Sequence, residues 1–450
     1  MSNLKTRLVD IKSRRIPVAA EVDVIVVGGG PTGVGAALAA AGEGAHVLLV
    51  ERHGLLGGMW TAGLVNPVFD SGKGWLVESL VSRLKEDGAW KTIGMNVFDV
   101  ERMAYTLEKL LVQAGVEFWF HALGVEAIVE HGRVRGVLVQ SKSGSEAILG
   151  KVTIDCTGDG DIAASAGVPY RKGREADGLM QPMTLMFEID GIRNLDSVPA
   201  GQVKVHEIFK LLEKAIADYG LPIRLPYGPQ RSGTPYLISL IGEGTAAIQA
   251  THVYKADATD VREVTRATVE ARRQVHEVFM PALRRIPGLE QIRLRRTGAS
   301  IGIRESRHLE GLYRLELNDM LAERRFEDAV TFIGFHIDTH EVDPDNPHDR
   351  KLPELPPGVT RHTVKGCEIP LRCLIPATVD GLLFAGRCIS GSHPVHSAFR
   401  VTGTCMAMGQ GAGLAAAWAA KQDVAPRELD GKAIRAALEA RGVKFLAGDL

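Results

Sequence analysis

The feature that most restricts the fold of this chain is a glycine-rich turn between an apolar strand and an uncharged helix. Residues 22–27 (VDVIVV) are almost continuously apolar, which is typical of a parallel strand covered on both faces. Gly28, Gly30 and Gly33 then form a G-x-G-x-x-G pattern that opens the alanine-rich stretch 33–42. Residues 46–50 (HVLLV) return as a second parallel strand. We therefore predict an α/β fold with a Rossmann-type domain.

The same turn predicts a binding site for the ADP half of a dinucleotide. The first glycine permits the tight turn, the second lets the backbone approach a pyrophosphate, and the third lets helix and strand pack closely. Pro31 and Thr32 lie at the helix N-terminus, where amides face phosphates. Glu51, followed by Arg52, ends the second strand, where a carboxylate accepts hydrogen bonds from a ribose. The motif does not distinguish FAD from NAD, because both contain ADP.

Length, charge and cysteine usage restrict the class of protein. A chain of 450 residues is long enough for two domains, and its formal charge of -1 predicts no nucleic-acid partner and no anionic membrane surface. The N-terminus lacks an apolar run of signal-peptide length, so we expect a cytoplasmic protein. Residues 401–420 reach membrane-spanning length, but Gln410, two threonines and four glycines argue against a span. Five cysteines without C-x-x-C predict reduced thiols.

The order of elements predicts an inserted domain. Residues 133–139 and 147–154 read as the strands of a hairpin, 261–279 as one amphipathic helix, and 341–358 as a loop. Residues 381–385 (GLLFA) return to an apolar strand, followed by a small-residue helix. We predict an FAD-binding domain over 18–170 with a return segment at 369–425, an inserted α+β substrate domain at 171–368, and a tail or helix at 426–450.

Segments after the turn resemble known flavoproteins. ERHGLLGGMWTAG, with Gly57, Gly58 and Met59, resembles the loop by which glutathione-reductase-type flavoproteins approach the flavin, and DCTGDGD and LLFAGRC resemble two further cofactor contacts of that superfamily. Residues 369–420 resemble the closing block of a bacterial FAD-dependent oxidoreductase family, distantly similar to fumarate reductase flavoprotein subunits. QPMTLMFEIDG, IGIRESRHLEG and FEDAVTFIGFHIDTH are similar to internal blocks of the same family, in the same order.

This resemblance implies FAD as the cofactor. It places Asp159 and Arg387 beside the phosphate and ribityl region, gives Val125 a backbone contact to adenine, and makes Gly403 and Thr404 the start of a helix whose amides face the flavin. The same segments add Thr157, Gly158 and Gly386 to the predicted cofactor contacts. We expect non-covalent FAD, because no histidine or cysteine stands out as an attachment point.

Several histidines and arginines are candidates for catalysis. His393 or His396 can serve as the general acid or base, since histidine titrates in the physiological range, but either can instead cap a helix or bind a flavin carbonyl. Arg400 can clamp a substrate carboxylate. Arg304 and Arg307 can also bind a substrate carboxylate, or they can pair inside the fold with Glu305, Glu310 or backbone carbonyls.

The sequence HIDTH adds a third group of candidates. His336, Asp338 and His340 alternate along a predicted strand, which would put the three side chains on one face. A metal site is conceivable there, but zinc needs ligands from elsewhere and the resemblance brings no metal. We predict no metal, and a substrate-facing wall that includes His340 as a catalytic candidate.

Two absences narrow the mechanism. No cysteine pair follows Glu51, so no dithiol relay is expected. Gly242, Gly244 and Ala247 imitate a second dinucleotide motif, but the segments around them read as a β-hairpin, so we predict no NADPH domain.

The leading interpretation is an FAD-dependent dehydrogenase or oxidase. It removes a hydride from a C–H bond next to oxygen or nitrogen in a small polar substrate, and electrons pass to oxygen or another acceptor. The alternatives are a fumarate-reductase-like reductase of an activated C=C bond, an FAD-carrying subunit of a larger complex and a non-catalytic FAD-binding module. A homo-oligomer is left open.

Overall fold

The computed structural model describes residues 15–93, 95–192, 214, 217–218, 220, 237–242, 244–285, 289–346, 355–360 and 363–446. The strands are β1 (Val18–Val27), β2 (Val47–Val50), β3 (Trp90–Ile93), β4 (Met95–Phe98), β5 (Glu117–Trp119), β6 (Leu123–Glu130), β7 (Arg133–Ser141), β8 (Gly144–Asp155), β9 (Tyr170–Lys172), β10 (Phe187–Asp190), β11 (Leu237–Gly242), β12 (Thr245–Gln249), β13 (Arg293–Thr297), β14 (Arg307–Leu309), β15 (Ala329–Phe332), β16 (Glu368–Pro370) and β17 (Leu382–Phe384). The α-helices span Pro31–Gly42, Trp75–Glu86, Val100–Gln113, Asp161–Ser165, Val261–Arg273, Met280–Leu283, Leu317–Leu321, His393–Phe399, Thr402–Gln422 and Gly431–Ala440.

The main sheet has the order β5-β2-β1-β8-β7-β6, with β17 also paired to β8. Strands β5, β2, β1, β8 and β17 run parallel, whereas β6 and β7 are antiparallel additions. The predicted hairpin is confirmed as β7 and β8, and the late apolar strand is confirmed as β17. This arrangement confirms the predicted α/β fold with a Rossmann-type sheet.

Two helices pack on this sheet with their backbones in contact. They are the first helix (Pro31–Gly42), with eight of its twelve residues buried, and the long helix (Thr402–Gln422), with eighteen of its twenty-one residues buried. A Cβ added at Gly409 would lie 2.0 Å from the carbonyl oxygen of Thr32, and one at Gly413 would lie 2.1 Å from that of Ala36. Glycine is therefore required where these two helices cross.

A second sheet lies within the predicted substrate domain. Its strands have the order β11-β12-β10-β13 and are antiparallel, so the predicted hairpin around Gly242 and Gly244 is confirmed. The helix predicted over 261–279 is α-helical only for Val261–Arg273 and continues as a π-helical turn at Gln274–Phe279. The domain boundaries themselves stay a prediction.

The prediction of a strand in HIDTH was wrong, because residues 333–346 form no regular structure. Their amides bond to side chains instead of a neighbouring strand: that of Gly334 to Asp70, that of Asp338 to Ser397, and that of His340 to Gln181. The predicted loop at 341–358 agrees with the described residues 341–346 and 355–358, while 347–354 lie outside them. In the described part of the chain, no helix has the length and hydropathy to span a membrane.

Candidate cofactor and substrate site

A cavity of about 380 Å³ lies beside the glycine turn. Its walls include sixteen of the residues that the sequence predicts to act there: Gly28, Gly30, Pro31, Thr32, Glu51, Arg52, Gly58, Met59, Thr157, Gly158, Arg304, His336, Asp338, His340, Arg387 and Arg400. The other predicted residues are not among its lining residues: Gly33, Gly57, Val125, Asp159, Arg307, Gly386, His393, His396, Gly403 and Thr404. The assignment of all these residues to cofactor binding or catalysis stays a prediction.

The glycine turn has the close contacts that its sequence predicts. Gly28 has a φ of +104°, and a Cβ there would lie 2.4 Å from the carbonyl oxygen of Cys156. A Cβ at Gly33 would lie 1.7 Å from the carbonyl oxygen of Gly28. Gly30, by contrast, would place a Cβ in open space, and no side chain of the described residues caps the helix that it begins. The turn therefore leaves helix amides accessible to a phosphate.

Glu51 lies where a ribose hydroxyl is expected. Its buried carboxylate accepts the amide N–H of Gly29 at 2.7 Å through Oε2 and that of His53 at 2.7 Å through Oε1. Each carboxylate oxygen keeps a further lone pair for a ligand. Gly57 binds the same turn through its amide, which donates to the Gly29 carbonyl at 2.8 Å, and a Cβ at Gly58 would lie 3.0 Å from the Cα of Gly30.

The DCTGDGD segment is organised by Asp155. Its carboxylate accepts hydrogen bonds from the amide and hydroxyl of Thr157 and from the amide of Ala163. Burial raises the pKa of Asp155 to about 6, against the lowering effect of these donors. A Cβ at Gly158 would lie 2.7 Å from Nη1 of Arg387, so this glycine lets the guanidinium reach the cavity.

Arg387 and Asp159 form an ion pair at this edge of the cavity. Asp159 itself does not line the cavity, but it holds the guanidinium of Arg387, which does. Nε of Arg387 is buried and has no hydrogen-bond partner among the described residues. Val125 follows the lining segment 122–124 and is 43% exposed, at a bulge of β6.

The long helix begins at Thr402 rather than at Gly403, and Thr402 and Cys405 are its lining residues. Gly403 and Thr404 do not line the cavity and contact Phe69 and Asp70. The Thr404 hydroxyl donates to Asp70 at 2.6 Å, and a Cβ at Gly403 would lie 2.4 Å from the Phe69 carbonyl oxygen. These two residues therefore anchor the helix N-terminus, whose partial positive charge favours an anion beside it.

Asp70 also binds a fully buried lysine that sequence reasoning missed. Nζ of Lys73 lies 2.6 Å from the Asp70 carboxylate, donates to the Phe332 carbonyl at 2.8 Å, and lies over the Phe332 ring at 3.5 Å. Burial lowers the pKa of Lys73 to about 8, although Asp70 opposes that change. The carboxylate therefore joins the start of the long helix to β15 and the segment after it.

A polar part of the cavity, the substrate wall, consists of Arg304, Asp338, His340 and Arg400. Nη2 of Arg400 donates to the Asp338 carboxylate at 3.2 Å and to the Asp338 carbonyl at 3.1 Å. Nε2 of His340 lies 3.7 Å from the same carboxylate. Nη1 of Arg304 donates to the Pro182 carbonyl at 2.6 Å and to a threonine hydroxyl. The wall therefore holds two guanidinium groups, one carboxylate and one imidazole.

The pKa shifts in the wall follow from burial and from these charges. Burial and the nearby Arg304 charge lower the pKa of His340 to about 4, although Asp338 opposes the shift. The imidazole is therefore neutral near pH 7. Burial raises the pKa of Asp338, but His340 and Arg400 outweigh it and hold that pKa well below its usual range. Asp338 is therefore ionised.

Gln181, Thr184 and His252 support the wall, and sequence reasoning missed all three. Oε1 of Gln181 accepts the His340 amide at 3.1 Å and Nη2 of Arg400 at 3.4 Å. The rings of His252 and His340 are 5.7 Å apart, and Gln274 clamps the backbone of His252 through two hydrogen bonds of 3.0 Å. The only signal for Gln181 and Thr184 was their place in the QPMTLMFEIDG block.

His393 and His396 belong to a buried network centred on Glu305. Nδ1 of His393 lies 2.6 Å and Nε2 of His308 lies 2.9 Å from Oε1 of Glu305, while Oε2 accepts the Gln181 amide at 2.9 Å. Burial raises the pKa of Glu305, but the two histidines outweigh it and hold the pKa well below its usual range. Burial lowers the pKa of His396 well below its ordinary value. This network lies behind the substrate wall, to which Gln181 connects it.

The network has ligand types that bind metals but not the geometry. Ligand atoms of Glu305, His308 and His396 lie within 4.8 Å of one another. The two imidazole rings, however, are stacked at 4.5 Å with only 15° between their planes. A metal bound by both nitrogens must lie in both ring planes, and near-parallel stacked planes do not meet at one nearby point. The absence of a metal stays a prediction.

The parallel sheet, the glycine turn and Glu51 define a dinucleotide-binding protein. The model of the FAD dependent oxidoreductase family matches residues 23–438. The chain belongs to that family, it is an enzyme, and FAD is its cofactor. The accessible amides of the turn, the acceptor at Glu51 and the helix N-terminus at Thr402 fit the phosphates, the ribose and the flavin of FAD respectively. Non-covalent attachment stays a prediction.

Individual relatives are similar to parts of the chain. Digeranylgeranylglycerophospholipid reductase 1 of Methanopyrus kandleri is 30% identical over 172 residues, or 35% of this chain and 42% of that protein. Thiamine thiazole synthase of Methanococcus aeolicus is 30% identical over 157 residues, or 32% of this chain and 58% of that protein. The chain thus spans about half the length of these curated relatives. A geranylgeranyl bacteriochlorophyll reductase-like structure from Thermoplasma acidophilum aligns at 14% identity over 94% of this chain and 84% of its own, with a TM-score of 0.45.

Proposed function

We propose that this enzyme removes a hydride from a C–H bond next to oxygen or nitrogen in a small polar substrate, with electrons passed to oxygen or another acceptor. The observation that supports this proposal is the substrate wall, in which a neutral imidazole lies beside an ionised carboxylate. FAD supplies the hydride acceptor when it is bound. The protein must then orient the substrate and accept one proton.

His340 is the proton acceptor in this proposal. Its Nε2 is directed toward Asp338, which favours the tautomer with a proton on Nε2 and a lone pair on Nδ1. Nδ1 takes the proton of a substrate hydroxyl or amine, and Asp338 stabilises the imidazolium that forms. Arg400 holds Asp338 in place. We do not assign this role to His393 or His396, because neither lines the cavity.

The second candidate is a flavin-dependent reductase of an activated C=C bond, in which an arginine protonates the substrate. Arg304 and Arg400 both line the cavity, and a relative matched over part of its length is named a reductase. The resemblance to fumarate reductase flavoproteins points in the same direction. We rank it second because Nδ1 of His340 is buried without a hydrogen-bond partner among the described residues and the imidazole is neutral near pH 7, so it can accept the proton that oxidation of the substrate releases.

Anaerobic mixing experiments separate the two candidates. The FAD-loaded protein is mixed with alcohols and amines, and the dithionite-reduced protein is mixed with enoates, while flavin absorbance is followed. We expect bleaching by at least one alcohol or amine, strongly slowed in His340→Gln and unchanged in His276→Gln, whose side chain is exposed. Reoxidation by enoates without any bleaching would favour the reductase. Inactivity in both experiments would refute both candidate functions.

A further inference from the structure

We infer that the substrate is a 2-hydroxy or 2-amino acid, whose carboxylate is bound by Arg400 while its hydroxyl or amino group faces His340. This inference rests on the proposed function for the reaction that follows binding. The binding itself rests on two buried polar atoms of the substrate wall, of which the proposed function uses only one.

Two atoms of the wall are buried without a hydrogen-bond partner in the part of the chain that the structure describes: Nε of Arg400 and Nδ1 of His340. Asp338 and Gln181 occupy only Nη2 of the Arg400 guanidinium. Buried polar atoms without a partner are rare in folded proteins and mark a place for water or a ligand. Nε–H is a donor and the Nδ1 lone pair is an acceptor, so the matching ligand presents an acceptor beside a donor.

The acceptor that suits this place best is a carboxylate. A guanidinium binds a planar carboxylate through charge-assisted hydrogen bonds, which are stronger than bonds to a neutral acceptor. The second guanidinium of the wall, Arg304, also lies along the cavity. Its charge helps to lower the pKa of His340, so a bound carboxylate would offset that charge and raise the pKa. An acidic substrate would therefore strengthen the base that acts on it.

Arg400 and His340 are close neighbours, which limits the distance between the substrate carboxylate and the hydroxyl or amino group. Oε1 of Gln181 accepts hydrogen bonds from Arg400 and from the backbone of His340, at 3.4 Å and 3.1 Å. One carboxylate oxygen of Asp338 lies 3.2 Å from Arg400 and 3.7 Å from His340. Because both residues contact the same two neighbours, we infer a substrate whose carboxylate and reacting group are on adjacent carbons.

The reaction then balances on the groups present. Nδ1 of His340 takes the hydroxyl or amino proton, and bound FAD would supply the acceptor for the hydride of the C2–H bond with both of its electrons. C2 becomes doubly bonded to oxygen or nitrogen, giving a 2-oxo or 2-imino acid. The electrons pass on to oxygen or another acceptor, as in the proposed function.

Comparing acids with their amides tests whether the site binds a carboxylate, because an amide has the same shape as the acid but no charge. We would measure the Kd of lactate and lactamide, of mandelate and mandelamide, and of alanine and alaninamide from the perturbation of the flavin spectrum under anaerobic conditions. Oxalate binding, followed by calorimetry, reports on the anion site without turnover. The variants are Arg400→Gln and Arg400→Lys, and the control is Arg372→Gln, whose guanidinium pairs with Asp328 away from the cavity.

We expect at least one acid to bind about tenfold or more tightly than its amide, as a charge-assisted hydrogen bond predicts. Oxalate should bind to the wild type and to Arg372→Gln, weakly to Arg400→Lys, and not measurably to Arg400→Gln at equal FAD content. Lactate or mandelate bleaching the flavin identifies a hydroxy acid substrate, and alanine an amino acid substrate.

Three results overturn the inference: no acid or oxalate binding, equal binding of acids and amides, or acid binding that Arg400→Gln leaves unchanged. Bleaching by alcohols or amines without a carboxylate, together with any of these results, would sustain the proposed function while refuting this inference. Acid binding that depends on Arg400 but never leads to bleaching would keep the carboxylate site and refute the proposed reaction.

Discussion

Replacing Gly409 by alanine tests whether the first helix and the long helix are held in backbone contact. The added Cβ would lie 2.0 Å from the Thr32 carbonyl oxygen, whereas ordinary contact begins at 3.4 Å. The methyl group and the carbonyl must therefore move apart by about 1.4 Å, in an interior that is packed like a crystal. A backbone carbonyl cannot rotate away as a side chain can, so the two helices themselves must separate.

The expected cost follows from two opposing effects. Overpacking of a well-packed core costs about 1–3 kcal/mol, and the 2.0 Å contact places this substitution at the upper end. Alanine in place of glycine inside a helix returns about 1 kcal/mol. We therefore expect Gly409→Ala to lower the free energy of unfolding by about 2 kcal/mol. FAD binding should weaken as well, because Thr32 lines the cavity.

Urea unfolding of the wild type and variant, with and without FAD, measures both effects. The matched control is Gly42→Ala in the first helix, where an added Cβ meets nothing within 4 Å. This control should be as stable as the wild type or slightly more stable. If Gly409→Ala matched the wild type in both unfolding and FAD affinity, the helices would not be in backbone contact and the reasoning would be refuted.

Three further predictions concern the charged groups of the site. Glu51→Gln replaces one of the two carboxylate oxygens that accept backbone N–H groups by an NH2 donor. The Kd for FAD, measured by fluorescence quenching, should therefore rise about 10–100-fold. An unchanged Kd would contradict the role of Glu51. His340→Gln should slow flavin reduction by about 10²–10⁴-fold without loss of FAD, as removal of a general base predicts; rates like those of the wild type in stopped flow would exclude His340 as the base. Lys73 has a folded-state pKa of about 8 against an ordinary 10.5, so the folded state binds fewer protons than the unfolded state between those pH values. The wild type should gain about 3 kcal/mol relative to Lys73→Met as pH rises from 8 to 10.5 in urea titrations, and a difference that does not vary with pH would rule out a buried, destabilised ammonium.

The cofactor half of the site was readable from sequence because its determinants are local. A strand, a glycine turn, a helix and a second strand follow one another within 18–51, and each glycine has a separate steric reason to be there. The hairpin of β7 and β8 was equally readable, since alternation and turn residues act over short distances.

The substrate half depends on contacts between distant segments, which sequence periodicity cannot show. The alternation in HIDTH suggested a strand, but the partners of its amides are side chains of Asp70, Ser397 and Gln181. The sequence position of His393 suggested a catalytic role, but its ring contacts Glu305 behind the substrate wall. Arg307, predicted either to contact the substrate or to pair with Glu305, Glu310 or backbone carbonyls, donates to the Asp159 carbonyl and pairs with Asp161.

The π-helical turn at Gln274–Phe279 changes which way one helix faces along its length. Before the turn, Ala267 and Ala271 pack into one hydrophobic cluster, whereas Val275 and Phe279 within the turn pack into another. A π turn accommodates one residue more than an α turn, so it shifts the phase of everything that follows. Loss of a single residue there would rotate one half by about 100° relative to the other. After such a deletion, the helix could not keep both clusters packed and also keep the two hydrogen bonds between Gln274 and the backbone of His252. A change in the length of this helix would therefore also change the shape of the substrate wall.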